Sequence, residues 1–416
     1  MDEKQERGLR RRAIRWSLKG WLPKRILAII PRSRRWLWKW QQRFQQLGAA
    51  GLRSQSRQPH VAPSAYPAAV RRLVVQARRE LERARIGLVG ARAIRRKLRQ
   101  EKLVQPLPSL ATIKRVLQAE GVTAPPIAKR PAYYPALGLP SGYVLQAMDW
   151  TERYLTGGTK VYAFHTLDLE TRAAKQTIAD NKRGETVRAH ALMVWQSLGI
   201  PDFLRLDNDA AFNGGYKVQR VMGQFVRLCL YVGVELLFIP VREPQRNGEV
   251  ESLNGLWAKA FFERYHFRSF LSAQRASPQF EAWYWHTYTP PALGDCCPAE
   301  AHAQVARPCL SVAQAAAIPL QLPLTAGRIH FIRQVDPSGT IQLLNESWHV
   351  SKRLCDHYVW ATVNTQSRSL RIYSCTAAHK PVRLVRDYPY SLGETVVALP
   401  SQFQHPHPRR RVCTMW

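Results

Sequence analysis

The chain has 416 residues, 45% of them hydrophobic, which allows several packed domains and excludes global disorder. Lys and Arg number 62 against 29 Asp and Glu, a net charge of +33, and residues 1–130 alone hold 32 of the former and 7 of the latter. No apolar run reaches the length of a membrane span, no lipidation motif is visible and no CxxC pair exists among the seven cysteines, so the charge reads as a site for a polyanion rather than a membrane or a zinc finger.

The first elements are helical. LPKRILAII (22–30) reads as a short helix, PRS as a turn and RRWLWKWQQRFQQLG (34–48) as a longer helix, with Ser33 as its cap and Gly48 as its end. A short helix, a tight turn and a basic second helix form a helix-turn-helix pattern over residues 1–60. Arg32, Arg34, Arg35, Lys39 and Arg43 would meet DNA, while Trp36, Trp38 and Trp40 read as core. The Pro-rich segment 54–67 reads as a linker.

Residues 66–125 repeat the idea with three helical stretches, 68–85, 90–103 and 108–121, the last capped by Ser109 and closed by Gly121. Arg95, Arg96, Lys114 and Arg115 are the DNA-contact candidates of this second helical unit; a helical spacer with a solvated charged face is the other reading. A second Pro-rich linker follows at 122–141.

From residue 140 to 305 the periodicity becomes mixed. Segments 143–150, 160–169 and 173–180 read as adjacent strands, 184–199 as a helix, 203–208 as a buried strand, 216–233 as a helix, 234–241 as a strand and 248–266 as a helix. This order predicts an α/β core of one mixed sheet with flanking helices. Five short β segments in 320–395, with DPSG (336–339) as a turn, predict a small C-terminal β-barrel. Residues 396–416 read as a basic tail.

Two acids close apolar strands: Asp149 in LQAMDW and Asp207 in FLRLDN. Carboxylates near a sheet core are unfavourable unless paired or bound to metal. Mg²⁺ takes carboxylate oxygens and keeps waters and substrate phosphates as further ligands, and a pair of such ions supports phosphoryl transfer. A third acid would complete such a site, and REPQRNGEVESLNGLW (242–257) offers Glu243, Glu249 and Glu251.

The segments MDWTERYL, RLDNDAAF and REPQRNGEVESLN resemble the catalytic core of insertion-sequence DDE transposases and retroviral-type integrases, which have an RNase H-like fold. In the third segment Pro244, Asn247, Gly248, Val250, Glu251 and Asn254 fall on the positions of the P-x-x-N-G-x-V-E-x-x-N pattern. The resemblance implies Asp149, Asp207 and Glu251 as catalytic and metal-binding residues, two Mg²⁺ or Mn²⁺ ions as cofactor, and the terminal inverted repeats of a mobile element plus target DNA as partners. It further implies a homo-oligomer on DNA, metal-dependent 3′-end cleavage and strand transfer. It extends to GAAGLRSQSRQP (48–59), PSLATIKRVLQAEGV and HTYTPPALGDCCPAEA, and the terminal β segments look like the family's small β DNA-binding domain.

Three features depart from the pattern. Asp209 stands where Gly is usual, Asp207 and Glu251 are 44 residues apart with extra residues near NGGYK (213–217), and Pro290-Pro291 replace Pro-His. Residues two apart on a helix point about 200° from each other, so Glu249 and Glu251 cannot share a metal face. Glu251 shares its side with Asn254, Glu249 reads as a helix-start acid favoured by the macrodipole, and Glu243 as a solvated loop acid. Asn254 is a DNA-contact candidate; Lys259, two turns beyond Glu251, would reach substrate phosphate or stand solvated. Asp168 and Glu170 read as turn residues, Thr151 and Glu152 likewise, and His165 as a core or edge histidine.

The alternative to a transposase is a catalytically inactive or domesticated DNA-binding regulator derived from one, and a nuclease that cuts without joining is a third reading. The odd cysteine count and the charged N-terminus, without an apolar stretch, suggest a reducing, cytoplasmic setting of bacterial, nucleoid-associated type.

Overall fold

The computed structural model describes residues 3–54, 66–123, 142–213, 220–374 and 383–404. The chain divides into two units, residues 1–67 and 68–416. The expected linkers at 54–67 and 122–141, the expected insertion near 213–217 and the end of the tail from 405 lie largely or wholly outside the described residues.

The first unit is helical: α1 (Glu3–Leu18), α2 (Pro23–Ile29) and α3 (Arg34–Leu47), followed by a 3₁₀ segment, Gly48–Leu52. Pro23 opens α2 with a φ already suited to a helix. Ser33 caps α3 by accepting the Trp36 N–H at 3.1 Å, and Gly48 ends it with a φ of +57°. α1 lies in the charged segment that sequence patterning left unassigned; it forms because Ala13 and Ile14 bury against Ile26, Leu37, Trp40 and Leu52. Trp40 is buried, Trp36 partly packed and Trp38 61% exposed, so the three tryptophans are not one core.

In the second unit α4 (Ala68–Arg83), α5 (Ala91–Gln100) and α6 (Leu110–Ala119) pack around Val74, Ile94, Leu98, Ile113 and Leu117. Ser109 caps α6 through the Thr112 N–H. A mixed sheet follows: β1 (Leu145–Tyr154), β2 (Lys160–Asp168), β3 (Ala174–Ala179), β4 (Phe203–Leu206) and β5 (Glu235–Phe238) stand in the order β3-β2-β1-β4-β5. β1 to β3 are antiparallel, and β1, β4 and β5 are mutually parallel. The β1–β2 hairpin turns at Gly157 and Gly158, both at positive φ. β1 therefore runs through Thr151 and Glu152, which are strand residues rather than the expected turn.

Helices cover both faces. α7 (Gly184–Ser197), α8 (Ala210–Asn213) and α9 (Gln224–Tyr231) lie over Met148, Phe164, Leu204 and Leu206. α9 is shorter than the expected 216–233 because residues 220–223 are not helical. On the other face α10 (Gly248–Trp257), a π turn (Ala258–Phe262), α11 (Glu263–Tyr265) and α12 (Phe270–His286) lie over Val161, Ala163, Leu167 and Ile178. This mixed sheet between helical layers fits an RNase H-like core.

The later strands are β6 (Leu324–Thr325), β7 (Arg328–Gln334), β8 (Thr340–Leu343), β9 (Glu346–His349), β10 (Tyr358–Asn364), β11 (Ser369–Ser374), β12 (Arg383–Pro389) and β13 (Val396–Val397). They do not stand apart as the expected barrel: β7 pairs in parallel with β5, and β10, β11 and β12 continue outward, so the central sheet has nine strands. The free backbone groups on the outer edge of β5 account for this, since β7 satisfies them. β8 and β9 form a separate ribbon after the DPSG turn, where Gly339 donates to the Asp336 carbonyl. Residues 396–404, expected in the tail, are folded: Val396 pairs with Leu324, and Phe403 is buried in the main core. Among the described residues no helix is long and apolar enough to cross a membrane.

Glu235 ties β5 to β7. It accepts from His330 Nε2 at 2.8 Å and from Arg328 at 2.6 Å, and Trp360 donates to His330 Nδ1, which leaves the proton on Nε2. Burial pushes the Glu235 carboxyl up, but the His330 hydrogen bond and the Arg328 guanidinium outweigh it and hold it at about 2. Its stabilising contribution is therefore complete above the ordinary value of 4.5 and is lost as pH falls towards about 2. Glu235→Ala is expected to cost about 3–5 kcal/mol by stranding its partners, and Glu235→Gln to flatten that acid limb, both read from urea unfolding at a series of pH values.

Candidate active site

β1 and β4 pair in parallel with Leu145 opposite Phe203 and Ala147 opposite Arg205. Continuing that register by two residues sets Asp149 opposite Asp207, which directly follows β4. Both side chains then stand on the sheet face covered by α10, because residues two apart on a strand share a face. Asn247 anchors the start of α10 by donating to the Met148 carbonyl at 3.3 Å, next to Asp149. From α10, Asn254 donates to Asp149 Oδ2 at 2.8 Å, while Trp150 N–H donates to Oδ1 at 2.8 Å. Asp207 Oδ1 accepts the Asp209 N–H at 3.0 Å.

The three acids expected from sequence feel one another. Burial, then the charge of Asp207, and to a smaller extent Glu251, push the Asp149 carboxyl up to about 7, against the two hydrogen bonds it accepts. Burial and then Asp207 push Glu251 up; burial raises Asp207. Among the described residues no three His, Cys, Asp or Glu side chains already stand at metal-holding distance. The donor set still fits a hard divalent cation: the groups are carboxylates, they repel one another over the inner strands of a buried sheet, and Mg²⁺ does not need a complete protein cage.

The neighbouring acids have partners. Glu249 pairs with Arg205 at 2.6 Å, and Arg205, only 2% exposed, also donates to Asn247 Oδ1 at 3.1 Å. Glu249 is thus the counter-ion of a buried arginine rather than only a helix-start acid. Arg205 is a residue that sequence reading passed over; a lone arginine inside the apolar FLRL was the available signal. Glu243 is not solvated: it pairs with Arg246 at 2.7 Å and accepts from the Tyr358 hydroxyl on β10. Asp168 accepts the N–H groups of Glu170 and Thr171 at 2.9 Å, the expected turn role. Asp209 caps α8 through the Ala211 N–H and pairs with Lys182, whose ammonium lies 3.9 Å from the centre of the Trp150 ring.

The candidate DNA-contact residues divide. In the first unit Arg34, Arg35 and Lys39 are exposed, Arg32 pairs with Glu6 at 3.0 Å, and Arg43 donates to the Arg53 carbonyl. In the second, Lys114 and Arg115 on α6 are exposed. Arg95 instead pairs with Asp295 at 3.1 Å and Arg96 donates to the His286 carbonyl at 2.7 Å, so these two hold α5 against the core. Lys259 is exposed in the π turn, and Asn254 is buried against Asp149 rather than open to DNA.

The two helix acids should respond oppositely to substitution. Glu249→Ala strands the buried Arg205 charge and is expected to cost about 3 kcal/mol, the low end for a broken buried pair because Glu249 is partly exposed. Glu251→Gln removes a repulsive neighbour of Asp207 and is expected to leave metal-free stability unchanged or raised. Chemical denaturation of both variants without divalent metal reads the difference.

No protein-family model matches the chain. Among solved structures it is similar to the HTLV-2 integrase catalytic core domain in complex with magnesium. The trimeric form is 14% identical over 38% of this chain and 95% of that chain, with a TM-score of 0.30. The dimeric form is 15% identical over 39% and 97%, with a TM-score of 0.29. It is also similar to the simian T-cell lymphotropic virus intasome in complex with PP2A regulatory subunit B56 gamma, at 14% identity over 72% of this chain and 97% of that chain, with a TM-score of 0.34. Likenesses of this size assign neither a fold nor an activity to the chain.

Proposed function

We propose that the chain is a DDE-type transposase, a polynucleotidyl transferase that cuts the 3′ ends of a mobile element and joins them to target DNA. The observation that carries this reading is the gathering of Asp149 within β1, Asp207 just after β4 and Glu251 on α10 in mutual electrostatic reach, in a chain of net charge +33.

Asp149, Asp207 and Glu251 would hold one or two divalent ions through their carboxylate oxygens. Bound there, such ions would polarise the scissile phosphate and lower the pKa of the attacking water or 3′-hydroxyl. The chain's own residues prepare the site. Trp150 N–H and Asn254 fix both oxygens of Asp149, and the Asp209 N–H orients Asp207. Lys182 pairs with Asp209 and offsets part of the repulsion that this acid, which departs from the family pattern, adds beside Asp207. The exposed basic side chains of α3 and α6 would bind DNA phosphates, an interaction that weakens steeply with salt. Two element ends must be joined in one event, which implies a homo-oligomer on DNA.

The test is cleavage and strand transfer of a labelled element-end fragment with Mg²⁺ or Mn²⁺. Asp207→Asn and Glu251→Gln are each expected to lose about 10²-fold or more of both products, the size of effect when one group stabilising transition-state charge is removed, while end binding by gel shift is retained. Binding without cleavage in the unsubstituted protein, under either metal, would replace this reading with that of a DNA-binding regulator; cleavage without joining would replace it with a nuclease.

A further inference from the structure

The sheet register places three polar residues in one row across β1, β2 and β3. Asp149 is directly opposite His165, and His165 is directly opposite Gln176. Directly opposed residues share a face, and this face is the one under α10 and α12. His165 is fully buried, with its ring edge against Trp257, 5.2 Å between centroids. Asn254 lies one helical turn before Trp257 on α10 and is also buried. Beyond His165, Gln176 Nε2 donates to the Ser277 carbonyl of α12 at 3.1 Å and to the Ser277 hydroxyl oxygen at 3.0 Å.

Four polar atoms in this row are buried without a bonded partner: both ring nitrogens of His165, Oδ1 of Asn254 and Oε1 of Gln176. A native interior rarely leaves such atoms unmatched. Asn254 cannot turn over, because its Nδ2 holds Asp149 and the exchange would set an oxygen against the carboxylate. Its Oδ1 therefore needs a donor from the other side. Burial and then Arg153 hold His165 far on the neutral side, at about 3, while the Asn254 and Gln176 side chains beside it oppose that shift. A neutral imidazole has one N–H and one bare nitrogen. Gln176 cannot turn over either, because that would set its Oε1 against the Ser277 carbonyl oxygen, so it has no N–H to offer the ring. The ring N–H then donates to Asn254 Oδ1, and Asn254 Nδ2–H to Asp149 Oδ2. Both links donate towards the carboxylate, and Asn254 Oδ1 and one ring nitrogen of His165 gain a partner.

We propose that His165 is a positioning residue: through a buried relay, His165–Asn254, it holds Asp149 in the orientation that a divalent cation requires. The proposal rests on the metal-binding reading of Asp149 above. Hydrogen bonds that run in one direction strengthen one another, and side chains that orient a metal-binding group set its affinity for the ion. Sequence patterning offered only a core or edge histidine here. The register gives this histidine a place in the site without contact with substrate or metal.

The test is Mn²⁺ binding to the full chain without DNA, followed by the electron paramagnetic resonance signal of free Mn²⁺, with thermal unfolding in parallel. His165→Phe keeps a ring and removes both nitrogens. Its Mn²⁺ affinity is expected to fall about 10-fold or more, while its metal-free melting temperature stays the same or rises, because two orphaned polar atoms have gone. A merely structural histidine would give the reverse, a lower melting temperature and unchanged affinity. His165→Gln and His165→Asn carry an amide N–H near the position of one or the other ring nitrogen, and one of them is expected to recover most of the affinity. His165→Met, which also lacks both nitrogens, is expected to show the same loss; it decides the matter should His165→Phe not fold. Wild-type Mn²⁺ affinity in His165→Phe, or in His165→Met where the former does not fold, would overturn the proposal and leave the metal reading standing. Equal binding by the unsubstituted protein and Asp149→Asn would overturn both.

Discussion

Like charges held close together over the inner strands of a buried sheet are the constraint that the rest of this molecule accommodates. Asp149 and Asp207 meet because β1 and β4 run in parallel and in a fixed register. Glu251 adds a third carboxylate from the helix above them. Such an arrangement works against folding, since burial and mutual repulsion both favour the neutral acids. It persists because the surrounding structure over-determines it. Each oxygen of Asp149 has a donor, Asp207 has the Asp209 N–H, and the start of α10 is pinned to β1 by Asn247. A site that holds unfavourable charge ready is suited to a cation that arrives with the substrate.

The other acids nearby show the contrast. Glu249 neutralises Arg205, Glu243 is held by Arg246 and Tyr358, Asp168 closes a turn and Asp209 faces Lys182. Each has a cation or a set of N–H groups that accounts for it. Asp149, Asp207 and Glu251 are pushed towards the neutral form instead, and this separates them from their neighbours more clearly than burial alone does.

The basic residues also divide by role. Arg95 and Arg96 belong to the same charged face as Arg92 and Arg99, and that face is turned to the core, where Asp295 and backbone carbonyls receive it. Lys114 and Arg115 on the next helix stay exposed. A net charge of +25 in residues 1–130 therefore overstates what is free for a polyanion, because part of it fastens one helix to the sheet domain. The C-terminal strands follow similar logic: the open edge of β5 is taken by β7, and the Glu235–His330–Arg328 cluster locks that junction.

Much of the local structure was legible in the residues, because its causes are local. Ser33 and Ser109 mark helix starts through bonds to their own first turn, Gly48 marks an end through its positive φ, and apolar alternation marks β1 to β5. The three carboxylates that the fold gathers were legible as charges beside apolar runs, although Asp149 lies within β1 rather than closing it, because the pairing with β2 carries the strand on to Tyr154. Strand partners were not legible, since pairing joins residues far apart in sequence; hence the expected barrel became the far half of one sheet. Nor were the partners of Arg205 and Glu243, or the place of His165 beside Asp149, because a side chain's neighbours across a sheet depend on register. By itself the sequence determined which residues could form each element and which carried charge. The tertiary structure decided which charges meet, and so which carboxylates are neutralised by cations and which are left to repel one another.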